Sequence, residues 1–237
     1  MEPVSVVIPT VNEAENIAQL IAGIEEVFKS NRMGGEIIVV DDKSADGTAE
    51  KARELNRMYG NIKVVEREAR DGLGNALKRG VREASNEAVV FMDADLSHDP
   101  GEMPKLLKAL EACDVVVGSR FLRESRLKRG LVRKVISGAY NIASRSMLGI
   151  RVSDVTSGYR AFRRRAFYSL NIESAGPEIH SELVVKAVLA GLRVGEVPVG
   201  YVDRARGRTK LNYLSIGPGY TKVMLNGFLT RLVKILS

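Results

Sequence analysis

At 237 residues, 45% hydrophobic and 27% charged, the chain is long enough for one sizeable core, and its composition excludes disordered, collagen-like and solenoid classes. A single cysteine, Cys113, excludes an internal disulfide, and no run approaches the roughly 18 apolar residues of a membrane span. The net charge of +7 is focused: seven basic residues from Arg120 to Lys134 face one acid, Glu124, and a second basic string, DRARGRTK, follows. Few aromatics interleave with these charges, which disfavours a single-strand nucleic-acid platform.

In chain order, the N-terminus opens at once on the strand-like VSVVIP, with Val4 to Ile8 as the apolar run and none of the features of a secretory signal. The expectation is therefore a cytoplasmic chain, free or peripheral to a membrane. PTVNEAEN follows and leads into a predicted helix, Glu13 to Ser30; it is not the glycine-rich turn of a dinucleotide site. A second strand, Glu36 to Val40, ends on Asp41 and Asp42. Asp46 and Gly47 then read as a turn before a helix from Thr48 to Tyr59. A third strand spans Ile62 to Val65, and DGLGNAL opens a helix from Gly74 to Ser85. The fourth, Ala88 to Met92, runs into DADLSHDP; a helix from Met103 to Ala112 and a fifth strand, Asp114 to Gly118, complete the series. Near-continuous apolar strands alternating with amphipathic helices predict an α/β fold, a Rossmann-like, largely parallel sheet with helices on both faces. Ligands of such sheets bind beyond the carboxyl ends of the strands.

The second half is less regular. A helix from Val132 to Leu148 puts Arg133 and Ser137 on one face; its apolar face, through Val135, Ile136 and Ala139, meets either a lipid chain or the core. From Tyr220 to Leu236 apolar residues recur at four-residue steps opposite Lys222, Asn226, Thr230 and Lys234. That tail suits an interfacial helix or one packed on its own domain, so the expected division is a catalytic domain over 1–212 and a helix over 213–237.

Asp93 and Asp95 pose the sharpest question, because two carboxylates one residue apart at a strand's end repel unless a cation offsets them. Oxygen ligands select a hard ion, Mg²⁺ or Mn²⁺, and so few protein ligands leave positions for a diphosphate. The ordered set VVIPTVNEAENI, IIVVDDKSADGT, GLGNALKRG, FMDADLSHDP, GSRF, DVTSGYRAFRR and EVPVGYVDRARGRTKL resembles the family 2 GT-A glycosyltransferases, and within them the dolichol-phosphate mannose synthases.

That resemblance implies the GT-A fold and an inverting transfer of mannose from GDP-mannose to dolichyl or another polyprenyl phosphate. It implies that Pro9, Val11, Glu13, Val40 and Asp42 line the nucleotide, with Val11 standing where the family often has tyrosine. Ala94 and Asp95 would lie beside the diphosphate, and Asp93, Asp95 and Ser97 around the metal. Arg120 would sit at the donor phosphates, Arg133 and Ser137 at the acceptor phosphate, and Arg204 and Lys210 would close from the late loop. Arg126, Lys128 and Arg129 read instead as attraction to an anionic membrane surface. Some family members continue into transmembrane helices, so a membrane-embedded partner subunit or surface attachment alone is expected, on the cytoplasmic face. UDP-glucose is the alternative donor, and a non-catalytic basic nucleic-acid-binding protein the distant alternative. His98 stands near the site, Glu182 either near the donor sugar or at a helix start, and Asp154 with Arg160 in a loop that builds the site or the scaffold.

Overall fold

The computed structural model describes residues 2–125, 127–128, 130–203 and 213–236; the side chains of Lys128, Arg133 and residues 213–215 are outside that description. Strand β1 (Val4–Thr10) is followed by α1 (Ile17–Ser30), β2 (Gly35–Asp41), α2 (Thr48–Tyr59), β3 (Ile62–Glu66), α3 (Leu73–Glu83) and β4 (Ala88–Phe91). After a 3₁₀ turn at Pro100–Glu102 come α4 (Met103–Leu110), β5 (Val115–Ser119), β6 (Leu127–Lys128), α5 (Leu131–Leu148), β7 (Arg160–Arg163) and α6 (Arg164–Ser169). The chain then forms α7 (Ile179–Leu189), β8 (Val194–Pro198), β9 (Tyr201–Val202) and α8 (Tyr213–Leu236).

Seven strands form one sheet in the order β3-β2-β1-β4-β7-β5-β8, and β6 pairs with β9 in a separate ribbon. Every neighbour in the large sheet is parallel except β7, which runs antiparallel between β4 and β5. Alternation along β1 sorts its side chains. Val4, Val6 and Ile8 pack with α1 and α4 on one face, while Val7 joins Val40, Phe91 and residues of α3 and α7 on the other. A third cluster, with Val117, Leu148, Val184 and Val223, seats α5, α7 and α8. Both faces are thus covered, as near-continuous apolar strands require.

The first five predicted strands and their helices are present with small shifts at their ends. The first helix starts at Ile17 rather than Glu13, because the Glu13 carbonyl accepts from the Asn16 and Ile17 amides in a preceding turn (2.9 Å each). The tail helix starts at Tyr213, as expected, and carries Pro218 inside it. Strand order reverses between β1 and β4: β2 lies toward one edge of the sheet and β5 toward the other. That switch point opens a crevice at the carboxyl ends.

Candidate active site

A cavity of about 770 Å³ fills the crevice. Its walls come from the residues after β1 (Pro9, Val11, Glu13), after β2 (Asp42), after β4 (Asp93, Ala94, Asp95, His98) and after β5 (Arg120). Helix α5 adds Ile136, Ser137 and Tyr140, and α8 adds Ile216, Gly217, Tyr220 and Thr221.

At the β1–β2 corner, the two aspartates have different employments. Asp41 is buried and accepts from the Thr10 hydroxyl (2.7 Å), the Ser44 amide (2.8 Å) and the Ser44 hydroxyl (2.6 Å), a knot that locks the two strand ends together. Asp42 lines the cavity and pairs with Arg67 at 2.7 Å. Burial pushes its carboxyl up, and Arg67 opposes the shift without cancelling it. Arg70 donates to the carbonyls of Asp42 (2.9 Å) and Lys43 (2.7 Å), fixing the loop from the cavity side. Glu13 is buried at this corner and accepts from Asn16 (2.8 Å). Val40 does not reach the cavity: its side chain lies in the core. DGLGNAL lines the cavity through Gly72, Leu73 and Ala76 and is packed from behind. The Ala175 carbonyl accepts from the Gly74 amide (2.6 Å) and the Asn75 amide (3.3 Å), and a Cβ on Gly72 or Gly74 would overlap the backbone of Ser174 or Ala175.

After β4, Asp95 accepts from the Ser97 amide (3.1 Å) in a tight turn through Leu96, whose φ is 60°. Gly158 gives Asp93 its room, since a Cβ there would come within 2.8 Å of the carboxylate. His98 is buried, its Nε2 3.8 Å from Asp93. Ser97 is buried and is not among the residues that line the cavity, and its hydroxyl makes no hydrogen bond among the described residues. No three His, Cys, Asp or Glu side chains cluster tightly enough to cage an ion, again among the described residues. Two carboxylates and an uncommitted buried hydroxyl still fit Mg²⁺ or Mn²⁺, which bind through one or two carboxylates with phosphate oxygens supplying other positions.

Arg120 lines the cavity with most of its donors committed. It gives Nε and Nη2 to Asp154 (2.7 and 2.9 Å) and Nη2 again to Thr156 (2.8 Å). Burial alone would raise the Asp154 carboxyl, but Arg120 brings it down to about 2. Asp154 is therefore a buried counter-ion. Behind it Arg160 is fully buried, donating to the carbonyls of Ser157 and His180, and burial lowers its pKa to about 9. His180 is held well below its ordinary value, by burial first and then by Arg160 and Arg120, so a neutral imidazole faces the cavity.

Ser137 is buried at the far end, one turn after Arg133 on α5. The α5–α8 wall beside it is latched by two phenols. Tyr140 donates to the Tyr220 carbonyl (3.1 Å) and lies 2.8 Å from the Ser181 hydroxyl, while Tyr220 donates to the Pro177 carbonyl (3.1 Å). Tyr140, Tyr220 and Arg70 belong to none of the quoted motifs, and Tyr201 stands inside EVPVGYVDRARGRTKL with no role assigned to it there. Glu182 lies outside this cavity; it accepts from the amides of Glu173 (3.0 Å) and Ser174 (2.8 Å) and from Lys186 (2.6 Å). Arg204 and Lys210 lie outside the described residues, as do Arg126 and Arg129.

Comparison with known proteins gives consistent results. The family profile described as glycosyl transferase family 2 matches residues 5–170. A dolichol-phosphate mannosyltransferase of Pyrococcus furiosus is 38% identical over 212 residues, 88% of this chain but only 59% of that relative's length. An undecaprenyl-phosphate mannosyltransferase of Micrococcus luteus is 32% identical over 232 residues, 95% of this chain and 94% of its own. Among solved structures, glucosyl-3-phosphoglycerate synthase of Mycobacterium tuberculosis with Mn²⁺, UDP-glucose and phosphoglyceric acid is similar at a TM-score of 0.72 and 25% identity, over 97% of this chain and 79% of that one.

Proposed function

The chain belongs to glycosyl transferase family 2, and from that premise we propose that it moves mannose from GDP-mannose to the phosphate of dolichol or another polyprenyl phosphate, with inversion at the anomeric carbon. One observation carries the reading: a single cavity joins the β1–β2 corner, Asp93 and Asp95, and Ser137, and ends in an apolar wall of Ile136, Tyr140, Ile216 and Tyr220. A sugar nucleotide needs the first part and a prenyl phosphate the second. The names of the two mannosyltransferase relatives support the same acceptor class. Assignment to an enzyme family takes the ground from the non-catalytic basic alternative.

In this reading Pro9, Val11, Glu13 and Asp42 hold the nucleoside, with the backbone at Val40 behind them. Asp93, Asp95 and Ser97 hold Mg²⁺ or Mn²⁺ with Ala94 beside the diphosphate; the ion, when bound, neutralises the charge of the departing nucleoside diphosphate. Arg120, already balanced by Asp154, contributes directed hydrogen bonds to the donor phosphates more than net charge. Arg133 and Ser137 orient the acceptor phosphate, and Arg204 and Lys210 close on the same charges. A phosphate monoester has a second pKa near 6, so the attacking oxygen is already an anion at neutral pH and no side chain is required as general base. What the protein supplies is approach and alignment of two anions.

We assign the chain to the cytoplasmic face of a membrane, held at its surface or by an embedded partner subunit. Large apolar side chains stand exposed on α5 (Leu131, Val132, Val135) and α8 (Leu225, Leu229, Val233, Leu236). The sequence has no acid from Ser125 to Ser153 or from Arg204 to Ser237, which suits anionic lipid. No helix among the described residues is long and apolar enough to cross a membrane.

A second reading has a specific support: the Mycobacterium tuberculosis enzyme binds UDP-glucose with Mn²⁺, which makes a polyprenyl-phosphate glucosyltransferase the competing assignment. One assay separates them. The chain is incubated with polyprenyl phosphate, Mn²⁺ and either labelled GDP-mannose or labelled UDP-glucose, and the organic phase is counted. Label from GDP-mannose is expected there; label from UDP-glucose alone would move the assignment to glucose, and label from neither would end it.

A further inference from the structure

Three loops meet at the diphosphate end of the cavity, and each leaves a different strand: Asp93–His98 after β4, Arg120 after β5, and Val199–Asp203 after β8. Backbone bonds stitch the third loop to the other two. The Val199 amide donates to the Ser119 carbonyl (3.0 Å), next to Arg120, and the Val202 amide to the Ser97 carbonyl (3.1 Å), next to His98. Tyr201, between those two stitches, repeats the connection with its side chain. Its ring lies under the Arg120 guanidinium, 5.3 Å from Cζ to centroid, and meets the His98 ring at 5.3 Å and 72°. His98 in turn stands 3.8 Å from Asp93.

Asp154 grips the guanidinium by Nε and one Nη, which fixes its edge. The aromatic ring fixes its face, by attraction between the cation and the ring quadrupole. We infer that Tyr201 is a positioning residue that holds Arg120 and the Asp93–His98 loop in one register, so that the donor's phosphates meet both at once. The inference rests on the transferase reading above. β9 pairs with β6, and the Asp203 carboxylate accepts from the Gly130 amide (2.9 Å) at the start of α5. The same short ribbon therefore joins this register to the helix that carries Ser137.

The test compares wild type with Tyr201→Phe, which keeps the ring, and Tyr201→Leu, which keeps an apolar side chain without it. Calorimetry gives the affinity for GDP and for UDP in the presence of Mn²⁺, and thermal melting reports folding. Loss of a desolvated cation–ring contact predicts a Kd raised about tenfold in Tyr201→Leu, with Tyr201→Phe within about twofold of wild type. In an Arg120→Lys background the leucine substitution should add little, since its effect passes through the guanidinium. If Tyr201→Leu melts too early to assay, the Tyr201→Phe comparison still decides: a loss of affinity without the hydroxyl overturns a role for the ring. Wild-type binding that Tyr201→Leu leaves unchanged overturns this inference alone. Binding of neither nucleotide by wild type overturns the transferase reading and the inference with it.

Discussion

Arg120 and Asp154 form a pair whose value lies in its completeness. Both are buried, and Asp154 also takes the Thr156 hydroxyl. Removing one partner leaves the other charge stranded away from water, a loss of about 3–5 kcal/mol for such pairs. Asp154→Asn should accordingly lower the unfolding free energy measured in urea at pH 7. Its pH dependence has a definite sign. The folded carboxyl titrates at about 2 against an ordinary 3.8, so its stabilisation is present above 3.8 and is lost as pH falls through about 2. The gap between wild type and Asp154→Asn should hold steady from pH 7 to 4 and narrow below that. Asp95→Ala tests the other end of the site: kcat/KM should fall by about a hundredfold or more, the scale of losing one contact to developing charge, and Mn²⁺-dependent nucleotide binding should weaken with it. Asp93 and Asp95 were legible because their repulsion demanded an explanation. Tyr140, Tyr201 and Tyr220 were not, because a lone tyrosine acquires a role only through residues 41 to 103 positions away, such as Ser181, His98 and Pro177.

Among the elements, helix α8 is held by contacts that no periodicity displays. Arg231 donates to the Met147 carbonyl at the end of α5 (2.8 Å), and Lys234 to the Leu189 carbonyl at the end of α7. Each places a cation at the negative pole of a neighbouring helix. Gly227 allows the close approach, since a Cβ there would come within 2.7 Å of Val185. Gly227→Val should thus overpack the contact and cost about 1–3 kcal/mol, seen as a melting point lowered by several degrees. The strands divide in a similar way. β1, β2, β4 and β5 announced themselves as apolar runs buried on both sides. β7 did not, because RAFR begins and ends on arginine and reads as surface loop. Its first residue is nevertheless fully buried, accommodated by two backbone carbonyls. β8 was hidden by the glycine, glutamate and proline of VGEVP.

At the scale of the whole molecule, cations and exposed apolar residues occupy the same two acid-free stretches. If the chain rests on lipid, it should bind vesicles containing phosphatidylglycerol better than neutral ones, with an affinity that falls as salt rises. Replacing both Leu229 and Leu232 by glutamate should reduce that binding at least about tenfold, given the value of burying a leucine; cosedimentation that the double variant leaves intact would remove α8 from the contact. The wall contributed by Ile216 and Tyr220 carries one more consequence. In a chain cut back to residue 212 the carboxylates and the nucleotide corner would survive, but the anomeric carbon of a bound donor would lie open to bulk solvent on that side. Under the proposed transfer to a prenyl phosphate, water would then compete with the lipid as nucleophile, and the shortened protein should release free sugar in place of glycolipid.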